Sequence, residues 1–230
     1  MKIYNPFKQL NKFEIWLWIS SLFAVTLSFA LPKEKDVLTL IASLIGVTSL
    51  IFMAKGMVFG QVLGLFFALI YGIVALIFRY YGEIITYLGM SAPSAIASII
   101  TWLKNPYKDT HEVTVSKLSI KTKSLIAVST VGVTVIMYFV LKLLNTPNLI
   151  VSSISVTTSF LASALLIFRS PFYAIAYSLN DIVLIVLWIL ACMVSLSYIP
   201  VVVCFVVFLA NDIYAFINWL KMKKKQAIAR

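Results

Sequence analysis

Eight runs of mostly apolar residues fill this chain and leave little between them. They lie near 15–31, 37–54, 58–78, 84–103, 124–144, 149–168, 172–193 and 198–220. An α-helix of about 20 apolar residues is what crosses the hydrocarbon core of a bilayer. There every backbone N–H and C=O must be satisfied within a helix or a closed barrel. The period-two alternation of barrel strands is missing. The chain therefore reads as an all-α membrane protein with eight transmembrane helices.

Composition agrees. Charged residues make up 12% of the chain and hydrophobic residues 62%, where a soluble domain carries about 25% charged residues. Cys192 and Cys204 sit inside apolar runs and read as small core residues, not as a disulfide or metal ligands. The single His111 lies in a polar loop and is expected to be solvated. A phosphate-binding glycine loop, a His-Glu-x-x-His helix and a Ser, His and Asp set are all missing from the sequence. That excludes an ATP-driven pump within this chain, leaves little for catalysis, and implies no cofactor and no metal.

The first run follows Lys2, Lys8 and Lys12, as in a signal peptide. It is long for one, and Pro32-Lys33-Glu34-Lys35 follows without a small-residue cleavage site. It reads as a retained helix. The net charge of +11 could suggest nucleic acid, but the position of the charges points to lipid. With a cytoplasmic N-terminus, all of the 19 Lys and Arg except Lys33, Lys35, Arg79 and Lys142 lie inside. This is the asymmetry of the positive-inside rule. Both termini are then expected on the cytoplasmic side of the inner (plasma) membrane. The basic cluster at 221–225 reads as a lipid-headgroup anchor, with no nucleic-acid partner. The polar stretch 104–123 is too short for a core of its own.

The two halves echo one another. The fourth run ends Thr101-Trp102-Leu103-Lys104 and the eighth Asn218-Trp219-Leu220-Lys221; the second and sixth end at Lys55 and Arg169. If runs 2–4 and 6–8 are copies joined by the fifth, the copies share one orientation, as in parallel-repeat transporters. Residues 1–36 would hold the N-terminal segment and an extra helix, and 37–103 a first three-helix repeat. Residues 104–148 would hold a cytoplasmic loop and linking helix, and 149–230 a second repeat with its basic tail.

Ionisable groups at membrane depth are costly and mark function by default. Asp181 and Asp212 are such groups, each preceded by an asparagine, Asn180 and Asn211. Tyr173, Tyr177 and Asn180 share one helical face, with Asp181 and Trp188 on the adjacent strip. Asn211, Tyr214 and Asn218 form a face in the last run, with Asp212, Phe216 and Trp219 beside it. The third run offers Gln61, Gly64, Ala68 and Tyr71. The fourth offers Thr86, Tyr87, Met90, Ser91 and Ser94, with Pro93 able to bend it. Rings stack on flat heterocycles, amides bond hydroxyls and carboxamides, and carboxylates favour a cation. A flat, polar nucleoside-like solute fits, cationic if the carboxylates are there to match it. The alternative is that such side chains only glue helices together or anchor them at the interface. The anchor reading is preferred for Trp16, Trp18 and Trp102 and is even with function for Trp219. Glu83 could cap a helix or gate an entrance.

At these residues the chain resembles the PnuC family of bacterial vitamin transporters. The segments that carry the resemblance are Phe59-Gly60-Gln61 through Tyr71, Tyr80-Tyr81-Gly82-Glu83, Trp102-Leu103-Lys104-Asn105-Pro106-Tyr107, Asn180-Asp181-Ile182-Val183 through Trp188, and Asn211-Asp212 through Trp219. The resemblance implies a SWEET-like 3+1+3 arrangement of parallel repeats plus one extra N-terminal helix, assembling as a homotrimer. It implies facilitated diffusion of nicotinamide riboside, a cationic pyridine nucleoside, or of a related vitamin, with trapping by a cytoplasmic kinase. Many members carry Trp-x-x-Trp-x-x-x-Asn in the seventh span. If Asn180 is that asparagine, Tyr173 and Ala176 stand where the tryptophans would.

The resulting expectation is a facilitator in which Tyr173, Tyr177 and Trp219 stack the base, with Tyr71, Trp188 and Tyr214 as further lining. Asn180, Asn211, Asn218 and Gln61 would bind ribose and carboxamide. Asp181 and Asp212 would hold these amides or balance the pyridinium charge. The alternatives are proton-coupled import of thiamine, riboflavin or a nucleoside, and a membrane enzyme or structural subunit.

Overall fold

The structure, a computed structural model, describes residues 5–32, 36–77 and 81–228. Lys2, Lys33, Glu34, Lys35, Phe78, Arg79, Tyr80 and Arg230, used above, lie outside them. The described chain is helical nearly throughout: α1 Lys12–Phe29, α2 Val37–Ala54, α3 Val58–Ile77, α4 at 81–103, α5 Ile120–Leu143, α6 Leu149–Ile167, α7 Phe172–Cys192 and α8 Ile199–Ile228. Among the described residues, seven helices are long and apolar enough to cross a membrane. The exception is α4, built from a turn Tyr81–Ile84, a π-helical stretch Ile85–Ser91 and a regular helix Ala92–Leu103. Pro93 explains the break. It has no N–H for the carbonyl four residues earlier, and a π stretch absorbs the loosened ladder.

Helix ends follow local chemistry. α1 begins earlier than its hydropathy suggests because Asn11 and Glu14 form a capping box, with Asn11 Oδ1 accepting from Glu14 N at 2.9 Å and Glu14 Oε2 from Asn11 N at 2.7 Å. α8 runs past 220 to Ile228, so the lysine cluster continues a helix where the hydropathy had suggested an end. α2 ends in a Schellman motif: Met57 N donates to Phe52 O at 3.0 Å and Gly56 N to Met53 O at 2.9 Å, with Gly56 at φ 68°. α6 ends the same way. Ser170 N donates to Leu165 O and Arg169 N to Leu166 O, both at 2.9 Å, with Arg169 at φ 56°.

Six helices close a ring in the order α2, α3, α4, α6, α7, α8 and back to α2. α2 and α3 approach closely because Gly60 has no side chain; a Cβ there would lie 2.5 Å from Met53 N. α5 packs on the outside of α6, joined by Thr134 Oγ1 to Thr157 Oγ1 at 2.8 Å. α1 sits in the outer groove between α2 and α8. Apolar side chains such as Phe23, Val128 and Ile150 point outward and are exposed, as lipid-facing residues should be.

The ends of α2, α4 and α6 meet the last third of α8 at one end of the bundle and cross-latch. Trp102 Nε1 donates to Leu166 O at 3.2 Å, and Thr101 Oγ1 to Ile167 O at 3.1 Å. Trp219 Nε1 donates to Met53 O at 2.9 Å, and Asn218 Nδ2 to Ala54 O at 2.8 Å. Each pair satisfies carbonyls that a helix C-terminus leaves without an intrahelical partner. Trp102 is therefore no interface anchor: it is 1% exposed and packs its ring, tilted, 5.5 Å from that of Trp219. Trp18 donates to Thr48 Oγ1 at 3.1 Å, while Trp16 stays exposed. The loop after α4 is packed against this end. Val113 and Val115 are buried with Trp102, Trp219 and Tyr173. Val113 N donates to Gly56 O, Ser116 N to Arg169 O, and Gln226 brackets the loop through Val115 N and Val113 O. Partial burial lowers the pKa of Arg169, whose Nε donates to Thr114 O.

Candidate functional site

The ring encloses a cavity of about 680 Å³, within the range that holds a drug-sized solute. It reaches Thr146, Pro147 and Asn148 between α5 and α6, and Val194 and Tyr198 between α7 and α8. All of these lie at the end away from the latched tryptophans. One end of the bundle is thus sealed and the cavity extends to the other.

The wall is mostly apolar, with polar and aromatic side chains set into it from the ring of helices. α3 gives Gln61, Phe67 and Tyr71; α4 gives Glu83, Thr86, Tyr87, Ser91 and Ser94. α6 gives Ser152, Ser155 and Ser159; α7 gives Tyr177, Asn180, Asp181 and Trp188; α8 gives Phe205, Phe208 and Asp212. The π stretch brings Tyr87 beside Tyr71, with ring centroids 4.6 Å apart and an interplanar angle of 37°. Phe67 lies 5.4 Å from Tyr71 and 5.8 Å from Tyr87. Leu88, next to Tyr87 in that stretch, seats where a Cβ on Gly72 would clash. Trp188 and Tyr198 pair at 5.4 Å near the open end.

Several polar groups are committed and others are free. Asn180 Oδ1 accepts from Ser155 Oγ at 3.2 Å and Thr158 Oγ1 at 2.9 Å, so its NH₂ is what remains to offer. Tyr177 Oη and Ser163 Oγ are 2.9 Å apart. The carboxyls of Asp181 and Asp212 lie within hydrogen-bond reach of each other. Asp181 Oδ2 and Gln61 Nε2 are buried without a partner. Among the described residues that line the cavity, the acidic side chains are Glu83, Asp181 and Asp212, and none is Lys, Arg or His.

Of the thirteen residues given a binding or gating role from the sequence, the cavity brings together Gln61, Tyr71, Glu83, Tyr177, Asn180, Asp181, Trp188 and Asp212. The structure places the other five elsewhere. Trp219 and Asn218 latch the end of α2, and Tyr173 Oη also donates to Met53 O, at 3.3 Å. Asn211 Nδ2 donates to Ser21 Oγ at 3.1 Å and Tyr214 Oη to Glu14 Oε1 at 2.6 Å, both toward α1. Sequence reasoning missed Phe67, the serines of α6, and Phe205 and Phe208. Phe67 continues the spacing of Gln61, Gly64, Ala68 and Tyr71, and Ser152, Ser155 and Ser159 form a polar stripe. Both signals were present. Nothing in the pattern separates Phe205 and Phe208 from lipid-facing rings.

Apolar helices closed around a cavity that holds buried amide and acidic side chains, sealed at one end and extending to the other, define a membrane transporter. The comparisons with known proteins give its family. The nicotinamide mononucleotide transporter family model matches residues 36–221. Nicotinamide riboside transporter PnuC of Neisseria mucosa (strain ATCC 25996 / DSM 4631 / NCTC 10774 / M26) is 26% identical over 193 residues, covering 81% of this chain and 73% of that one. The crystal structure of the vitamin B3 transporter PnuC superposes with a TM-score of 0.79 at 24% identity, over 94% of each chain. The chain belongs to the nicotinamide mononucleotide transporter family. It is a multi-pass helical membrane protein, and a transporter rather than an enzyme.

Proposed function

We propose that this protein carries nicotinamide riboside across the membrane by facilitated diffusion. The observation that carries the reading is the cavity's acidic lining: Glu83, Asp181 and Asp212, with no cationic side chain among its described residues. Carboxylates attract a pyridinium and repel a phosphate. The riboside, a cation, is therefore the substrate, and the phosphorylated mononucleotide is excluded. The name of the Neisseria relative supports the same solute.

The residues divide the solute between them. Tyr71, Tyr87 and Tyr177 provide rings for the base, and Asp181 and Asp212, close enough to share one proton, balance its charge as a single anionic pair. Gln61 Nε2 and Asp181 Oδ2 are a buried donor and a buried acceptor without protein partners, which suits a carboxamide. The NH₂ of Asn180 and the serines of α6 suit ribose hydroxyls. Glu83 and Trp188 stand toward the open end.

Residues 37–103 and 149–230 act as two parallel three-helix repeats. They are joined through 104–148 and preceded by 1–36, in a SWEET-like 3+1+3 plan with one added helix. The reciprocal latches, Thr101 and Trp102 onto α6 and Asn218 and Trp219 onto α2, support that symmetry. The basic, sealed end faces the cytoplasm with both termini, and the protein lies in the inner (plasma) membrane open to the outside. It works as a homo-oligomer, a trimer by family resemblance, and a cytoplasmic kinase traps the riboside. The test is binding to the purified protein of three solutes: the riboside, its neutral dihydropyridine form and the 5′-mononucleotide. The riboside should bind tightest and the mononucleotide weakest. Equal binding of the mononucleotide would overturn the reading.

A further inference from the structure

α1 lies outside the residues 36–221 matched by the family model, yet its polar side chains grip α8 twice. Ser21 Oγ accepts from Asn211 Nδ2 at 3.1 Å, and Glu14 Oε1 accepts from Tyr214 Oη at 2.6 Å. Glu14 is 1% exposed and is fixed in turn by Lys55 Nζ, at 3.1 and 3.0 Å from its two oxygens. Trp18 ties α1 to Thr48 on α2. The grip is thus rooted in the neighbouring helix as well.

Positions 14 and 21 share one face of α1, and 211 and 214 share one face of α8. Asp212 is the next residue after Asn211, about 100° further round the helix. While α1 holds Asn211 and Tyr214, the Asp212 carboxyl faces the cavity beside Asp181. A turn of α8 by that angle would carry it into the wall. Asn211 Oδ1 is buried without a partner, so the hold of Asn211 on α1 rests on its single donor bond to Ser21.

We propose that α1 is a positioning helix for cation recognition: Ser21 and Glu14 set the rotation of α8 at which Asp212 lines the transport cavity. The inference rests on the reading that this cavity binds a pyridinium nucleoside. The test uses the purified full chain, its Ser21→Ala and Tyr214→Phe variants, and calorimetric binding of nicotinamide riboside and its neutral dihydropyridine form. Each variant should lose about fivefold in affinity for the cation, the value of one hydrogen bond, and less than about twofold for the neutral form. Ser21→Thr, which keeps the hydroxyl, should restore the preference. Should Ser21→Ala fail to fold, Tyr214→Phe carries the test alone. Equal weakening of both solutes marks a merely structural contact and overturns the inference, as does a preference that survives every substitution. Wild-type protein that binds both forms equally overturns the cation reading itself.

Discussion

Replacing Trp219 by Phe separates a structural tryptophan from a substrate-stacking one. Trp219 is fully buried, donates to Met53 O at 2.9 Å, and packs its ring 5.5 Å from Trp102 and 5.0 Å from Tyr173. Phe keeps most of the aromatic contact and removes the donor. Met53 O retains Gly56 N and Tyr173 Oη, so the lost bond costs about 1 kcal/mol. The smaller ring leaves a void that adds about 1–2 kcal/mol. For a chain of this length, the sum lowers the melting temperature by roughly 4–12 °C. Trp102→Phe should cost a similar amount, because its bond to Leu166 O at 3.2 Å mirrors the first. The assay is thermal unfolding in detergent alongside riboside binding measured well below the transition. Affinity should change by less than twofold, about 0.4 kcal/mol. A Trp219→Phe variant that melts like wild type but no longer binds riboside would refute this assignment and return the ring to the binding site.

Asp181→Asn and Asp212→Asn should each lower affinity for the riboside at least about tenfold, while hardly changing that of its neutral dihydropyridine form; competition binding checks this. Gln61→Leu leaves the solute's carboxamide without its buried donor and should weaken binding by about 1–3 kcal/mol with little change in melting. Gly60→Ala forces a Cβ to within 2.5 Å of Met53 N and 2.8 Å of Phe52 C. It should lower the melting temperature sharply, at about 1–3 kcal/mol. Gly89→Ala, whose Cβ would meet only Ile85 Cγ2 at 3.8 Å, should be nearly neutral.

Much of the helix plan was legible because hydrocarbon tolerates so few arrangements of backbone. Six apolar runs became regular helices within a few residues of their hydropathy limits, and the last began on time but continued through its lysines to Ile228. The π stretch at Ile85–Ser91 was not legible: Pro93 signals a disturbance but not its form. The cavity side of α7 was readable, since carboxylates and amides are too costly in lipid to be idle. What the pattern could not tell was where each polar side chain would be spent. Asn218 and Trp219 satisfy carbonyls on α2, more than 160 residues away in sequence. A helix end that lacks donors leaves no mark on the helix that supplies them. Asn211 and Asp212 looked alike as a pair, yet neighbouring positions on a helix face different partners, one toward α1 and the other into the cavity. The role of Glu14 was not legible either. Its partners Lys55 and Tyr214 lie 41 and 200 residues further on, beyond any local signal.

Uptake into proteoliposomes tests the central claim most directly. Labelled nicotinamide riboside and its 5′-mononucleotide would be supplied outside, with and without an imposed pH gradient. The riboside should enter saturably and stop at equal concentrations on both sides, whether or not the gradient is present, and the mononucleotide should stay out. Mononucleotide entry at a comparable rate, or riboside accumulation driven by the gradient, would contradict it.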